Sequence, residues 1–157
     1  MESRILGVRA PIVPGLIAGA AGAVLIDVYL LLVIVVIARA ATVVGFYQFV
    51  ASSAIGRDAY AQPGFAWFGL ALHVLASLAW GLGYAFVAAR PPQVRSRPIT
   101  SGIVFGIVVM LSMQLVEVAA NIYELPTTFS LVNSLVAHTL FFGIPVAYVV
   151  SKRLEGA

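Results

Sequence analysis

The sequence predicts an all-α integral membrane protein, a single four-transmembrane-helix bundle over residues 1–157. Three observations support this fold. The chain is 62% hydrophobic and 10% charged, whereas a soluble domain is about half apolar and about a quarter charged. Its mean hydropathy is +1.05. Four apolar runs, each close to the roughly 20 residues that cross a bilayer as a helix, alternate with segments that contain prolines, glycines or charges.

The first predicted span covers residues 14–40, and Asp27 is the only charged residue between Arg9 and Arg39. An ionisable group near the middle of a membrane helix is costly and usually has a partner. The apolar run is longer than the roughly 7–15 apolar residues of a signal peptide, so we predict a retained helix. The other spans are predicted at 66–89, 99–123 and 129–151.

The segment 41–65, between the first two spans, is predicted to be an interfacial loop at the outer membrane surface. It contains an aromatic cluster, Phe46, Tyr47 and Phe49, and aromatic side chains are enriched at the membrane–water boundary. We expect part of this segment to form a short helix that lies against the bundle and ends near Gly56.

The lysines and arginines predict the orientation of the bundle. Arg39 and Arg57 lie on one side of the predicted topology. The other basic residues lie on the opposite side: Arg4, Arg9, Arg90, Arg95, Arg97, Lys152 and Arg153. The positive-inside rule therefore places both termini and the link 90–98 in the cytoplasm, N-in and C-in. Because these flanking charges account for the pI of about 9.6, we predict the lipid bilayer as the partner and no nucleic acid.

Similar spacings in the two halves suggest two tandem helical hairpins. The first and third spans each open with a Gly-x-x-x-Gly pair, at Gly15 and at Gly102. The same offset places Gln114 at the position of Asp27. Because small residues are abundant in this chain, a chance similarity also stays open. Glycine pairs at this spacing let helix backbones approach closely, and we expect them to pack the first span against the third.

Each span contributes one ionisable side chain, and the set is Asp27, His73, Glu117 and His138. With a rise of about 1.5 Å per residue, all four fall in one layer of the outer half of the bundle. Gln114 lies one helical turn from Glu117 and shares its face. Asn121 and Tyr84 are further polar residues that we expect to support this cluster.

This cluster is compatible with several kinds of site. Two carboxylates and two imidazoles from four helices could ligate a divalent transition metal. Two histidines at equal depth, His73 and His138, could instead be the axial ligands of haem b. The same side chains could line a path for protons or cations, or they could pair with one another, as His73 with Glu117, and fix the helix register. The sequence leaves these alternatives open.

No catalytic residue is predicted, and the sequence favours a protein that is not an enzyme. It has no Gly-x-Ser-x-Gly motif, no phosphate-binding glycine loop and no His-Glu-x-x-His helix. It also has no cysteine, which excludes disulfides, thiolate ligands and cysteine nucleophiles. We expect a ligand-binding membrane protein whose ligand is a transition metal or haem b. The alternatives are a small cation- or proton-coupled transporter or channel, acting as a homo-oligomer, and an accessory subunit of a larger membrane complex.

Several short motifs occur in a fixed order along the chain. A Tyr-x-Phe-x-Ala-Ser motif begins at Tyr47, a Leu-x-Leu-His motif ends at His73 and a Gly-x-x-Tyr motif ends at Tyr84. An Ala-His pair then ends at His138, and a Phe-x-Gly-x-Pro motif ends at Pro145. This order resembles an uncharacterised family of small bacterial four-helix inner-membrane proteins. The resemblance implies four helices in a bacterial inner membrane and no particular activity, and the two intramembrane carboxylates lie outside its motifs.

Overall fold

The computed structural model describes residues 10–155 as a bundle of helices. Within this range no β-strand occurs, and four helices are long and apolar enough to cross a membrane. The predicted all-α membrane fold is confirmed at this level. The helices are, in chain order, α1 (Ile12–Ile37), α2 (Val43–Ile55), α3 (Phe65–Ala88), α4 (Pro92–Ser96), α5 (Pro98–Ala119) and α6 (Thr128–Leu154).

Two of the long helices contain a π-helical segment, and one short turn follows α2. The last turns of α1, Leu31–Ile37, are π-helical, as is the middle of α6, Ala137–Gly143. A 3₁₀ turn, Gly56–Tyr60, extends the chain beyond α2. The predicted end of the short helix near Gly56 is confirmed, since this glycine has a positive φ of 65° that few other residues tolerate.

The spans that begin the two halves are shorter than predicted. α1 ends at Ile37 instead of 40, because Arg39 adopts a left-handed φ of 51°. α5 ends at Ala119 instead of 123, because Asn121 has a φ of 56°. A right-handed helix cannot continue through such a residue, and asparagine is among the few that enter this region readily.

The bundle has two distinct ends, which we name after their short helices. The α2 end contains α2 and the link 120–127, and the α4 end contains α4. The core fills the middle of the bundle and the α4 end, where Tyr84, Phe142 and Val146 are at most 5% exposed. On the outer surface, Leu75 and Leu115 are 63% and 69% exposed. A surface this apolar requires lipid or another hydrophobic partner.

Glycines make the closest helix contacts within each half of the chain. A Cβ atom added to Gly81 of α3 would lie 2.5 Å from the backbone nitrogen of Gly19 and 2.6 Å from the carbonyl oxygen of Gly15. A Cβ atom added to Gly102 of α5 would lie 2.6 Å from the Cα atom of Ile144 in α6. The glycine pairs therefore pack α1 on α3 and α5 on α6, and the predicted contact between the first and third spans is wrong. This spacing permits close approach but does not select the neighbour.

The two hairpins pack through equivalent positions, whereas their histidines are not equivalent. Each second helix presents a backbone carbonyl group to the second glycine of its partner, that of Ser77 on α3 to Gly19 and that of His138 on α6 to Gly106. His73 precedes Ser77 by four residues, whereas His138 itself occupies the position equivalent to Ser77. Relative to the glycine contact of each hairpin, the two histidines thus differ by roughly 6 Å along the helix axis. This difference directs them to different surroundings.

Candidate functional site

Asp27 and His73 form a pair inside the α2 end of the bundle. The Nε2 atom of His73 lies 3.0 Å from Oδ1 of Asp27, and the His73 and Asp27 side chains are 17% and 15% exposed. The hydroxyl of Tyr47 on α2 donates a hydrogen bond of 3.1 Å to the other carboxylate oxygen, Oδ2. Asp27 therefore has partners on α2 and α3, as the cost of an isolated carboxylate in a bilayer requires.

Helix α2 is fixed to the bundle by contacts around this pair. The Nε2 atom of Gln48 donates a hydrogen bond of 3.0 Å to the carbonyl oxygen of Gln62, just before α3. The carbonyl group of Tyr47 packs directly on Gly69 of α3, where a Cβ atom would collide with it. The segment that the sequence predicts as an interfacial loop is therefore mostly a helix with a defined docking site.

The phenol group of Tyr47 is expected to lose its proton at a clearly higher pH than an ordinary tyrosine. Burial, followed by the charge of Asp27 and the hydrogen bond to it, raises the pKa of Tyr47 from 10.0 to about 12. Because the folded state holds this proton more tightly, the resulting stabilisation is complete below pH 10.0 and is lost as the pH rises towards about 12. An ultraviolet titration of the wild type minus that of Tyr47→Phe isolates this phenol among the six tyrosines. A midpoint at 10.0 would contradict the contact with Asp27.

His138 lies in the π-helical segment of α6 and lines a cavity at the α2 end. Its Nδ1 atom lies 2.8 Å from the backbone carbonyl oxygen of Ser134. Because a carbonyl oxygen can only accept, Nδ1 carries the proton and donates this bond. In the neutral ring, Nε2 then presents a lone pair. His138 can thus accept a hydrogen bond from a ligand in the cavity, and π segments recur at functional sites.

The cavity has a volume of about 1020 Å³ and opens between α1, α2, α5 and α6. One wall is a face of α2 that carries Phe46 and Phe49. On α6 the lining extends from Thr127 to His138, a distance of roughly 16 Å along a helix axis. The cavity therefore extends from the surface of the α2 end into the membrane-spanning part of the bundle.

The polar groups of the cavity are unevenly placed. Gln114 and Glu117 lie in the last two turns of α5, roughly 12 and 16 Å along its axis from Gly106, which packs on His138. Both are half-buried. Arg57 and Glu124 lie at the mouth, where both are exposed. The interior thus presents hydrogen-bond acceptors and one carboxylate, while opposite charges meet water at the mouth.

The four predicted ionisable residues lie in two separate places. Asp27 and His73 pair between α1 and α3, whereas Glu117 and His138 line the cavity. Among residues 10–155, no three His, Cys, Asp or Glu side chains form a group that could hold a metal ion. The Nε2 atom of His73 faces Asp27, so it is not free to join His138 as an axial ligand. This geometry gives no support to a four-ligand metal site or to haem b.

The three predicted supporting residues are also separated. Gln114 lines the cavity, but Asn121 is exposed in the turn after α5. Tyr84 lies roughly 16 Å along α3 from His73, and its hydroxyl oxygen is 2.8 Å from Oγ of Ser101 near the α4 end. Gln114 is therefore the one of the three that lies beside an ionisable residue of the cluster.

Sequence reasoning missed the role of Tyr47 and of the α2 wall. The aromatic cluster at Phe46, Tyr47 and Phe49 was the available signal, and it predicts only a position near the membrane surface. Which ring turns towards Asp27 and which towards the cavity depends on how α2 docks on Gly69. That docking is a long-range contact that no local pattern encodes.

Comparison of the chain with protein-family models, with curated proteins and with solved structures finds no match. The resemblance to small bacterial inner-membrane proteins therefore stays a prediction.

Proposed function

We propose that this protein binds a small, partly hydrophobic molecule from the membrane in the cavity at its α2 end. The cavity carries this proposal, because about 1020 Å³ is enough to enclose a small organic ligand. Its walls combine aromatic and aliphatic side chains with a few polar groups, a composition typical of such sites.

The position of the cavity favours a ligand that comes from the bilayer. Leu30 and Ile34 line it and belong to a helix that can span the membrane. An apolar part of the ligand would contact these side chains and the rings of α2. A polar part would contact Gln114 or His138, whose hydrogen-bonding groups need a partner in such surroundings.

The packing beyond the cavity favours binding over conduction. Phe142, Val146 and Val150 follow His138 on α6 and are at most 3% exposed. A tightly packed layer of this kind holds a ligand at one end of the bundle, whereas a channel requires a hydrated path through it.

The proposal predicts that filling the cavity weakens the binding of a neutral hydrophobic dye. Leu131 and Ser134 line the cavity, and tryptophan at both positions should reduce the affinity for Nile red by about tenfold or more, since the added rings occupy its space. Fluorescence titration in detergent micelles, corrected for protein-free micelles, measures this affinity.

The matched control replaces Val132 and Leu135 by tryptophan. These residues have the same spacing on α6, are 54% and 39% exposed, and are not part of the lining. Their variant should bind Nile red like the wild type. Equal loss in both double variants, or no loss in either, would contradict binding in the cavity.

A further inference from the structure

The Glu117 carboxylate is the group in the cavity that most clearly lacks a partner. It is half-buried on a membrane-spanning helix and lines the cavity. Within the described part of the chain, the one pair between a basic and an acidic side chain is that of His73 with Asp27. Glu117 lies two residues before the end of α5, and a half-buried carboxylate without a partner on a helix of this kind marks a candidate site for a substrate or an ion.

The charges around the cavity also favour a positively charged ligand. Its lining contains two carboxylates, Glu117 and Glu124, and one guanidinium, Arg57. Arg57 is exposed at the mouth, where water screens it. Deeper in the cavity, His138 in its neutral form and the Gln114 amide add acceptor atoms. Below the mouth, the lining thus carries one carboxylate and neutral acceptor atoms, an arrangement that attracts cations.

The aromatic wall distinguishes an organic cation from an inorganic one. Phe46 and Phe49 of α2 line the cavity together with Glu117, and the faces of aromatic rings attract cations. A small metal ion typically requires several ligands close together, and the range 10–155 contains no group of three His, Cys, Asp or Glu side chains that could hold one. The site thus combines one counter-charge with a large apolar surface.

We propose that the ligand of the cavity is a lipophilic organic cation and that Glu117 is its counter-ion. This inference rests on the proposed binding function and specifies the chemistry of the ligand. The apolar body of the ligand contacts the aromatic and aliphatic lining, and its delocalised or quaternary charge lies near the Glu117 carboxylate.

Tetraphenylphosphonium and neutral triphenylphosphine oxide form a matched pair of probes for this inference. The wild-type protein in detergent should bind the cation about tenfold or more tightly than the neutral compound, as measured by equilibrium dialysis. In Glu117→Gln the roughly tenfold preference for the cation over the neutral compound should disappear, because the substitution removes charge and little volume. Unfolding in mixed micelles, followed by circular dichroism, reports whether the variant is folded like the wild type.

Glu124→Gln provides the control for a general change in charge. It removes the same charge from the exposed mouth of the cavity, and it should change the affinity for the cation by about twofold or less because water screens that position. Equal affinity of the wild type for cation and neutral compound, or equal loss in both glutamine variants, would overturn the inference and leave the binding of Nile red intact. Failure of the wild type to bind either Nile red or the cation would overturn the binding function and this inference together.

Discussion

Gly81→Ala is expected to lower the free energy of unfolding by about 3 kcal/mol, the upper end of the usual cost of overpacking a core. The added methyl group would lie 2.5 Å from the backbone nitrogen of Gly19 and 2.6 Å from the carbonyl oxygen of Gly15. Backbone atoms cannot rotate out of the way, so α1 and α3 must separate to make room. Unfolding in mixed micelles with an increasing fraction of denaturing detergent, followed by circular dichroism, measures this change.

Gly83→Ala is the matched control, two residues further along the same helix. Nothing lies within 4 Å of an added Cβ atom at this position. The variant should be unchanged or slightly more stable, by about 0.5–1 kcal/mol, because alanine favours the helix. If both alanine variants unfold alike, the close contact of α1 with α3 is wrong. The equivalent substitution in the second hairpin, Gly143→Ala, should resemble Gly81→Ala, since Gly143 lies against the backbone of Gly102 and Gly106.

Replacing either member of the Asp27–His73 pair by leucine is expected to cost about 3–5 kcal/mol, the typical cost of leaving one partner of a buried pair uncompensated. Asp27→Leu also removes the acceptor of the Tyr47 hydroxyl. The same unfolding measurement applies. Asp58→Leu, which removes an exposed carboxylate near the surface of the α2 end, should change stability by about 0.5 kcal/mol or less.

The double variant Asp27→Leu with His73→Leu separates a true interaction from two independent effects. It should be clearly more stable than the sum of the single losses predicts, because neither polar group is then left without its partner. Strictly additive losses would show that the two side chains do not stabilise one another. Retained Nile red binding in the double variant would further show that the pair holds the bundle and not the ligand.

The sequence predicts the helices well because membrane spans obey a local rule. Length and apolarity identify the four spans, and the positive φ of Gly56 matches its predicted role at the end of a short helix. The misplaced ends arise at Arg39 and Asn121, where single residues adopt a left-handed conformation. Such a conformation depends on the turn that follows and leaves no trace in hydropathy.

The sequence predicts the candidate site only in part, because the direction in which a helix points its side chains depends on how the helices pack. The expectation that Asp27 has a partner agrees with the pair it forms, yet depth alone made His73, Glu117 and His138 equally suitable. The glycine contacts determine which residue pairs with Asp27, since His73 and His138 lie at different distances along their helices from the positions that pack on the glycines. A helix surrounded by lipid has no polar face that must point to water, so hydrophobic periodicity gives little information on which of its side chains point into the bundle.

The close glycine contacts lie within two pairs of helices that are each consecutive among the four long ones, and this bears on how the protein assembles during its synthesis. The tightest contacts of α1 are with α3, and those of α5 are with α6, so each half can close as soon as its second helix enters the bilayer. The first hairpin, with α2 already docked on Gly69, can be complete while the ribosome is still synthesising the second. The cavity is lined by α1 and α2 of the first half and by α5 and α6 of the second, so it exists only where the two halves are docked on one another.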